Sequence, residues 1–335
     1  MCHSLVKPGN DSCFFLCYYS PMLSYQHIFH AGNHADILKH SVLIHVLNSL
    51  NKKDKAYTFF DTHAASGLYD LTDGRSLKTG EAGRGIMALN ETEGGAACEP
   101  DLPPLLKSYL DFVKPYLKDS RYPGSPEIER SFMRAQDTLI LSELHPQEIE
   151  NLRNNMKNSC LSTGGQTAAT DFPSIKIHNR NGWEMLTALT PPVTKRGAVL
   201  IDPSYEETED YEKAAATICG VHKKWSGGII MLWYPLLAHR DREITSMLET
   251  IIQSARSSNP NIEIADLRLE VFDKNEHKEM SLEEFRASEN KNPPRLYGSG
   301  MLVINSPWKL KEEAEETIEY IKNAFSSRLQ TESRT

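Results

Sequence analysis

Apolar positions recur along the chain with two periods. Seven short segments are rich in β-branched and aromatic residues and bounded by turn formers, which predicts strands. They are Tyr57 to Phe60, Thr138 to Ser142, Ser174 to His178, Ala198 to Ile201, Gly228 to Trp233, Ile262 to Val271 and Met301 to Asn305. Between most of them lie stretches with helical spacing, such as Pro146 to Met156, Tyr211 to Lys224 and Arg240 to Ser254. Alternation of this kind predicts an α/β fold with a seven-stranded, mainly parallel sheet covered on both faces.

Ahead of the first strand, Asn33 is placed to cap a helix through Ala35, Ile37, Leu38, Val42, Leu47 and Leu50. The apolar arc of that helix is wide, so it is expected to pack on the sheet. The gap from Ser66 to Asp137 is too long for one crossover. With helical patterns at Gly80 to Asn90 and Leu102 to Tyr116, it reads as an inserted helical subdomain. The expected division is an extension over 1–21, a main domain over 22–66 and 127–335, and an insert over 67–126. Phe272 to Tyr297 reads as a long charged excursion, helical around Ser281 to Ala287, and Leu310 to Leu329 as an amphipathic surface helix.

Composition narrows the class. The chain has 335 residues, 39% of them hydrophobic. No apolar run approaches the roughly 20 residues of a membrane-spanning helix, so no membrane association is expected. Six cysteines are scattered without a Cys-x-x-Cys pair, which points to a reducing compartment, the cytoplasm or an organellar matrix, with no clear targeting signal. A monomer is expected. The net charge of -8 argues against charge-driven, non-specific nucleic-acid binding, although local basic patches occur at Lys52-Lys53-Asp54-Lys55, Lys195-Arg196 and Lys223-Lys224. Short runs like these are ordinarily solvated faces.

In parallel sheets ligands bind beyond the carboxyl ends of the strands, so the residues after each strand carry the chemistry. Here they are Asp61-Thr62-His63-Ala64-Ala65-Ser66-Gly67, Glu143-Leu144-His145-Pro146, Asn179-Arg180-Asn181-Gly182-Trp183 and Asp202-Pro203-Ser204-Tyr205. Glu143 is placed to accept hydrogen bonds from ribose hydroxyls. The loop after the first strand has a single glycine and is not a Gly-x-Gly-x-x-Gly fingerprint, so a nicotinamide cofactor is not supported. Asp-Pro-x-Tyr after an apolar strand fits transfer to an exocyclic amine. The Asp202 carboxylate and the Pro203 carbonyl accept the two amine hydrogens and aim the lone pair, Asp202 takes the proton, and Tyr205 offers a face to an unstacked base. His30 and His34 have the i, i+4 spacing of a zinc pair, but no His-Glu-x-x-His arrangement or cysteine-rich partner accompanies them, and no metal is expected.

Met22-Leu23-Ser24-Tyr25, His30-Ala31-Gly32-Asn33-His34-Ala35-Asp36, Lys39-His40, Asp61-Thr62-His63, Tyr122-Pro123-Gly124-Ser125-Pro126, Glu143-Leu144-His145-Pro146, Asp202-Pro203-Ser204-Tyr205-Glu206, Leu232-Trp233-Tyr234-Pro235 and Asn305-Ser306-Pro307-Trp308 occur in the order and with the separations of a known family. In them the chain closely resembles the bacterial 23S ribosomal RNA adenine-N6 methyltransferase J family. The resemblance covers nearly everything after Met22. It implies a Rossmann-like class I methyltransferase using S-adenosyl-L-methionine, with ribosomal RNA as partner. It also implies that His40, His63, Ser125, Glu143, Asn181, Gly182 and Asp202 line the cofactor site, that Asp202 is the proton acceptor, and that Tyr25 contacts RNA near the reacting base.

Three residues depart from the family's pattern. Asn181 stands where the family tends to have Asp, Ser204 where it has a second Pro, and Ala65 where it has a glycine. Two other readings remain open on the motifs alone, a DNA adenine-N6 methyltransferase and a catalytically weakened RNA-binding module on the same fold.

Overall fold

The structure is a computed structural model that describes residues 26–90, 102–158, 172–272, 274 and 296–332. In chain order its elements are α1 (His34–Asn51), β1 (Thr58–Asp61), β2 (Leu68–Asp70), α2 (Gly74–Thr79), α3 (Pro104–Lys118), β3 (Arg121–Pro123), α4 (Ser125–Phe132), β4 (Thr138–Ser142) and α5 (Pro146–Asn158). They continue with β5 (Ser174–His178), α6 (Gly182–Leu189), β6 (Gly197–Ile201), α7 (Glu209–Lys224), β7 (Ile229–Leu236), α8 (Asp241–Ser258), β8 (Ile264–Glu270), β9 (Gly298–Ile304) and α9 (Leu310–Glu332).

All seven expected strands form one sheet in the order β5-β4-β1-β6-β7-β9-β8. Pairing is parallel from β5 to β7, with β1 between β4 and β6. It turns antiparallel at β9, which lies between β7 and β8. This is the Rossmann-like arrangement, with the strand order reversing at β1 and leaving a crevice at the carboxyl ends there. Successive strand residues face opposite sides, so Phe59, Leu200 and Met231 enter one core while Phe60, Val199, Ile201, Ile230 and Leu232 enter the other. The first core is closed by α1, α3 and α9, the second by α6, α7 and α8.

Asn33 caps α1 as expected, its side chain accepting from the Asp36 N–H at 3.0 Å. The helix is buried on nearly every side because it is sandwiched between the sheet and α3 and α4; Ile37, Leu38, Val42, Leu43, Val46 and Leu47 are fully enclosed. The segment between β1 and β4 packs here too: Tyr69, Ile86, Leu106, Tyr109 and Val113 join the same core as α1.

Two details of that segment differ from the periodic reading. The helix expected over Gly80 to Asn90 is preceded by α2, which ends at Gly80 in a left-handed conformation. Its continuation includes a π-helical stretch over Gly83–Met87. Gly85 is required there, since a Cβ would lie 2.2 Å from the Gly32 carbonyl oxygen. The antiparallel pairing of β2 with β3 was not anticipated, because three residues per strand are too few to show a period. Residues 1–25 and the stretch around Ser281 to Ala287 lie outside the described residues, and with them the expected N-terminal extension and Tyr25.

Candidate active site

The carboxyl ends of β4, β1 and β6 open into one cavity. His40, His63, Ser125, Glu143, Asn181, Gly182 and Asp202 all line it. Lys39 and Asp202, 163 positions apart in sequence, therefore meet where the topology places a ligand.

Each strand end is braced by its neighbours. Glu143, after β4, accepts from the Ala65 N–H at 2.8 Å and the His145 N–H at 2.6 Å, which fixes both carboxylate oxygens at the rim while leaving lone pairs for further donors. Burial pushes its pKa up, against those backbone hydrogen bonds. Asn181 caps α6, its Oδ1 accepting from Trp183 N at 3.0 Å and Glu184 N at 3.3 Å. That leaves the amide NH2 as its donor toward the cavity. Gly182 follows because the first turn of α6 presses on the loop after β1: a Cβ there would sit 2.0 Å from the Thr62 carbonyl oxygen. His63 bonds Thr62 Oγ1 at 2.8 Å and meets Trp183 edge-on at 5.3 Å. Burial lowers its pKa to about 4, so it is neutral at pH 7.

Ser125, the first residue of α4, donates to Asp61 Oδ2 at 2.7 Å, and His63 N donates to Asp61 Oδ1 at 3.0 Å. Asp61 is wholly buried under the cavity, and burial raises its pKa to about 6 despite these two donors. Glu129 on the same helix is buried as well. Burial first, and then the neighbouring Asp61, hold its carboxyl well above the usual range.

The sequence reading missed a line of charged groups beneath Asp202. Lys39 Nζ lies 2.6 Å from Asp202 Oδ2 and 2.9 Å from Asp36 Oδ1. Asp36 in turn accepts from His27 Nε2 at 3.0 Å and from the Gly32 N–H at 2.8 Å. Burial disfavours the Lys39 ammonium, but the carboxylates of Asp202 and Asp36 outweigh it and raise its pKa. Burial likewise opposes the Asp36 carboxylate, and His27, Lys39 and His40 hold its pKa well below the usual value. The detectable signal was three polar residues, Asp36, Lys39 and His40, on one face of an otherwise apolar helix.

Next to that line, His40 Nδ1 bonds the Tyr122 hydroxyl at 2.8 Å, which bonds the Tyr109 hydroxyl at 3.0 Å. Burial drives the His40 pKa down to about 3. Its Nε2 is buried at the cavity wall with no hydrogen-bond partner among the described residues. A neutral imidazole nitrogen left in this way favours a ligand that supplies a polar group.

Tyr205 is placed differently from the other expected residues. At φ +51° its backbone turns the ring away from the cavity and onto Tyr211, with centroids 4.6 Å apart, while its hydroxyl donates to the Trp233 carbonyl at 3.0 Å. It does not line the cavity. Pro203 and Ser204 do, along with Lys39, Ala65 and Trp183. His30 is bound to Glu81 at 3.0 Å, and no group of three or more His, Cys, Asp or Glu among the described residues is placed to hold a metal. Among the described residues no helix is long and apolar enough to cross a membrane.

Known proteins resemble this chain over most of its length. The model of the family described as ribosomal RNA large subunit methyltransferase D, RlmJ, matches residues 54–334. The chain is 33% identical over 303 residues to ribosomal RNA large subunit methyltransferase J of Escherichia coli, covering 90% of this chain and 93% of that one. It is 34% identical over 306 residues to the protein of the same name from Haemophilus influenzae, with the same coverage of both chains, 90% and 93%. A crystal structure of a Legionella pneumophila protein superposes with a TM-score of 0.65 at 27% identity, covering 88% of this chain and 94% of that one. With the family model spanning most of the sequence and both relatives matched almost end to end, the chain belongs to the RlmJ family of ribosomal RNA large subunit methyltransferases.

Proposed function

We propose that this chain transfers a methyl group from S-adenosyl-L-methionine to the exocyclic N6 of an adenine in large-subunit ribosomal RNA. The observation that carries the reading is Asp202 at the end of β6, inside the cavity and tied through Oδ2 to Lys39, with its Oδ1 unpartnered among the described residues.

The residues present suit the cofactor. Glu143 would accept from the ribose hydroxyls, the Asn181 amide would donate to an adenine edge, and His40 Nε2 and Ser125 would offer polar contacts to the amino-acid end. His63 and Gly182 complete the wall. The bound cofactor supplies an electrophilic methyl on a sulfonium; everything else falls to the protein.

An adenine N6 is a poor nucleophile because its lone pair is delocalised into the ring. Asp202 Oδ1 and the Pro203 carbonyl accept its two hydrogens, and this turns the lone pair out of conjugation toward the methyl group. Transfer of the methyl group to N6, with the sulfonium sulfur leaving as a neutral thioether, would place positive charge on N6. The amine then becomes strongly acidic, and Asp202 takes the proton it loses. A carboxylate suffices as acceptor for so acidic a proton. Lys39 holds the carboxylate in position while Asp36 balances the Lys39 charge. Positioning of this kind supplies most of the rate.

Tyr25 and Tyr205 are the aromatic residues assigned to the target base. For Tyr205 that role requires its ring to leave the packing on Tyr211. Unpaired adenines are favoured, since they are splayed out cheaply.

The test uses Asp202→Ala with protein-free ribosomal RNA, with DNA as a second acceptor. The expected result is cofactor binding within a few-fold of wild type and no transfer of labelled methyl to RNA. Transfer by wild type to DNA but not to RNA would replace the proposed substrate, and undiminished transfer by Asp202→Ala would remove the proposed mechanism.

A further inference from the structure

The three basic patches of the sequence are far apart along the chain and have no part in the cavity. In the fold they meet. Lys52 to Lys55 precede β1, Lys195 and Arg196 precede β6, and Lys223 and Lys224 end α7 just ahead of β7. Because β1, β6 and β7 are adjacent and parallel, these three loops lie at one edge of the sheet, the amino-terminal edge opposite the cavity.

Hydrogen bonds and ring contacts join the loops into one surface. The Arg196 guanidinium donates to the carbonyls of Lys55 and Leu50. The Trp225 indole N–H donates to the Lys195 carbonyl at 2.9 Å. Arg134, ahead of β4, donates to the Lys53 carbonyl at 3.0 Å, and both Arg134 and Arg196 lie 5.5 Å from the Tyr57 ring centre.

The run Lys52 to Lys55 holds one exposed acid, Asp54, which faces Arg134, but the lysine side chains outnumber it. Lys52, Lys53, Lys55, Lys195 and Lys223 are exposed, and among the described residues none of them forms an ion pair. Asp137, the acid nearest Arg134, is buried and committed to it at 2.9 Å. The C-terminal dipoles of α1 and α7 favour cations at Lys52 and Lys223, but not at Lys55 and Lys195. A cluster of net positive charge on a chain of net charge -8 is an electrostatic footprint for a polyanion.

We propose that this amino-terminal edge is a second RNA-binding surface, which grips the phosphodiester backbone of a segment remote from the target adenine. The inference rests on the proposed RNA substrate. Strands of four or five residues separate the two edges by about 15 Å before loops are added. A short hairpin seated in the cavity does not reach the lysines, whereas a large folded RNA does.

The variant to make is Lys53→Gln, Lys55→Gln, Lys195→Gln and Lys223→Gln together, none of them in the catalytic site. Binding is measured as a function of salt on protein-free large-subunit RNA and on a short hairpin carrying the target adenine. Methyl transfer is measured on both. At about 0.15 M salt, the variant is expected to bind the large RNA at least tenfold more weakly, with kcat unchanged. The slope of log K against log salt should fall by about 3, at roughly 0.7 to 0.9 for each phosphate that is no longer neutralised. Binding and turnover of the hairpin should stay within twofold, which also reports an intact fold.

An unchanged slope on the large RNA, or an equal loss on the hairpin, overturns the inference. So does a variant that loses binding to polyglutamate while keeping its affinity for RNA, which would assign the patch to an acidic protein. A wild-type enzyme that methylates neither RNA defeats the proposed function instead, and the salt slopes still decide the role of the lysines.

Discussion

Lys39 Nζ sits 2.6 Å from Asp202 Oδ2, so a helix that precedes the first strand reaches through the sheet edge to hold the carboxylate that follows the sixth. Both side chains are largely sequestered, at 5% and 15% exposure. An ion pair in such a place has a defined energetic behaviour. Removing one partner leaves an uncompensated buried charge, and this costs about 3 to 5 kcal/mol.

Lys39→Met should therefore lose about that much stability, because it strands Asp36 as well as Asp202. Adding Asp36→Asn removes one of the two orphaned charges and should restore part of the loss, so that the pair is non-additive in a double-mutant cycle. Methyl transfer should stay abolished in the double variant, since Asp202 is no longer held. Urea denaturation and labelled-methyl incorporation check the two halves. Additive stabilities would mean that Asp36 and Lys39 are not energetically linked.

The buried acid beneath Ser125 gives a pH dependence of definite sign. Asp61 ordinarily titrates near 3.8 and is raised to about 6 by burial in the fold. The folded protein thus binds a proton there that the unfolded chain releases. The stabilisation from that proton is complete below the unfolded pKa and is lost as pH rises through about 6. Two pKa units correspond to about 3 kcal/mol as an upper bound. Asp61→Asn should flatten the stability curve between pH 4 and 6 relative to wild type, and should weaken cofactor binding through the loss of an acceptor for Ser125 or His63. Parallel curves for the two proteins across that window would show that Asp61 does not carry the shift.

The strand ends were legible because a parallel sheet gathers its ligand-binding residues at one edge, and the strands themselves are short runs rich in β-branched and aromatic residues bounded by turn formers. Asp202, Glu143 and Asn181 could be read that way, while His63, though at a strand end, took its role from the family resemblance. Ser125 could not: it follows a three-residue strand too short for a pattern, and only the family resemblance pointed to it. Lys39 and Asp36 were hidden for another reason. Their partner lies at the far end of the chain, and within their own helix they look like polar interruptions of an apolar run. Tyr205 was placed in the right loop, but the direction of its ring depends on a positive φ and on the packing of Tyr211, neither of which a tetrapeptide reveals. The basic runs looked like solvated faces until the topology of β1, β6 and β7 brought them together.

Ala65 offers the last prediction. Its φ is +47°, in the left-handed region, while its N–H is committed to Glu143 Oε2 at 2.8 Å. A residue with a Cβ adopts this conformation at a cost of about 1 to 2 kcal/mol, which glycine avoids. The loop keeps the strained geometry because Glu143 and the Ala64 N–H bond to the Ser142 carbonyl, at 3.0 Å, pin it on both sides. Ala65→Gly relieves the strain but also frees the unfolded chain, which offsets part of the gain. The net expectation is a stabilisation of about 0.5 to 1 kcal/mol, read as a higher denaturation midpoint. Because Ala65 lines the cavity, loss of its methyl group should also tighten cofactor binding, measured by calorimetry. A destabilised variant would show that the neighbouring contacts, rather than the backbone conformation, set the preference at this position.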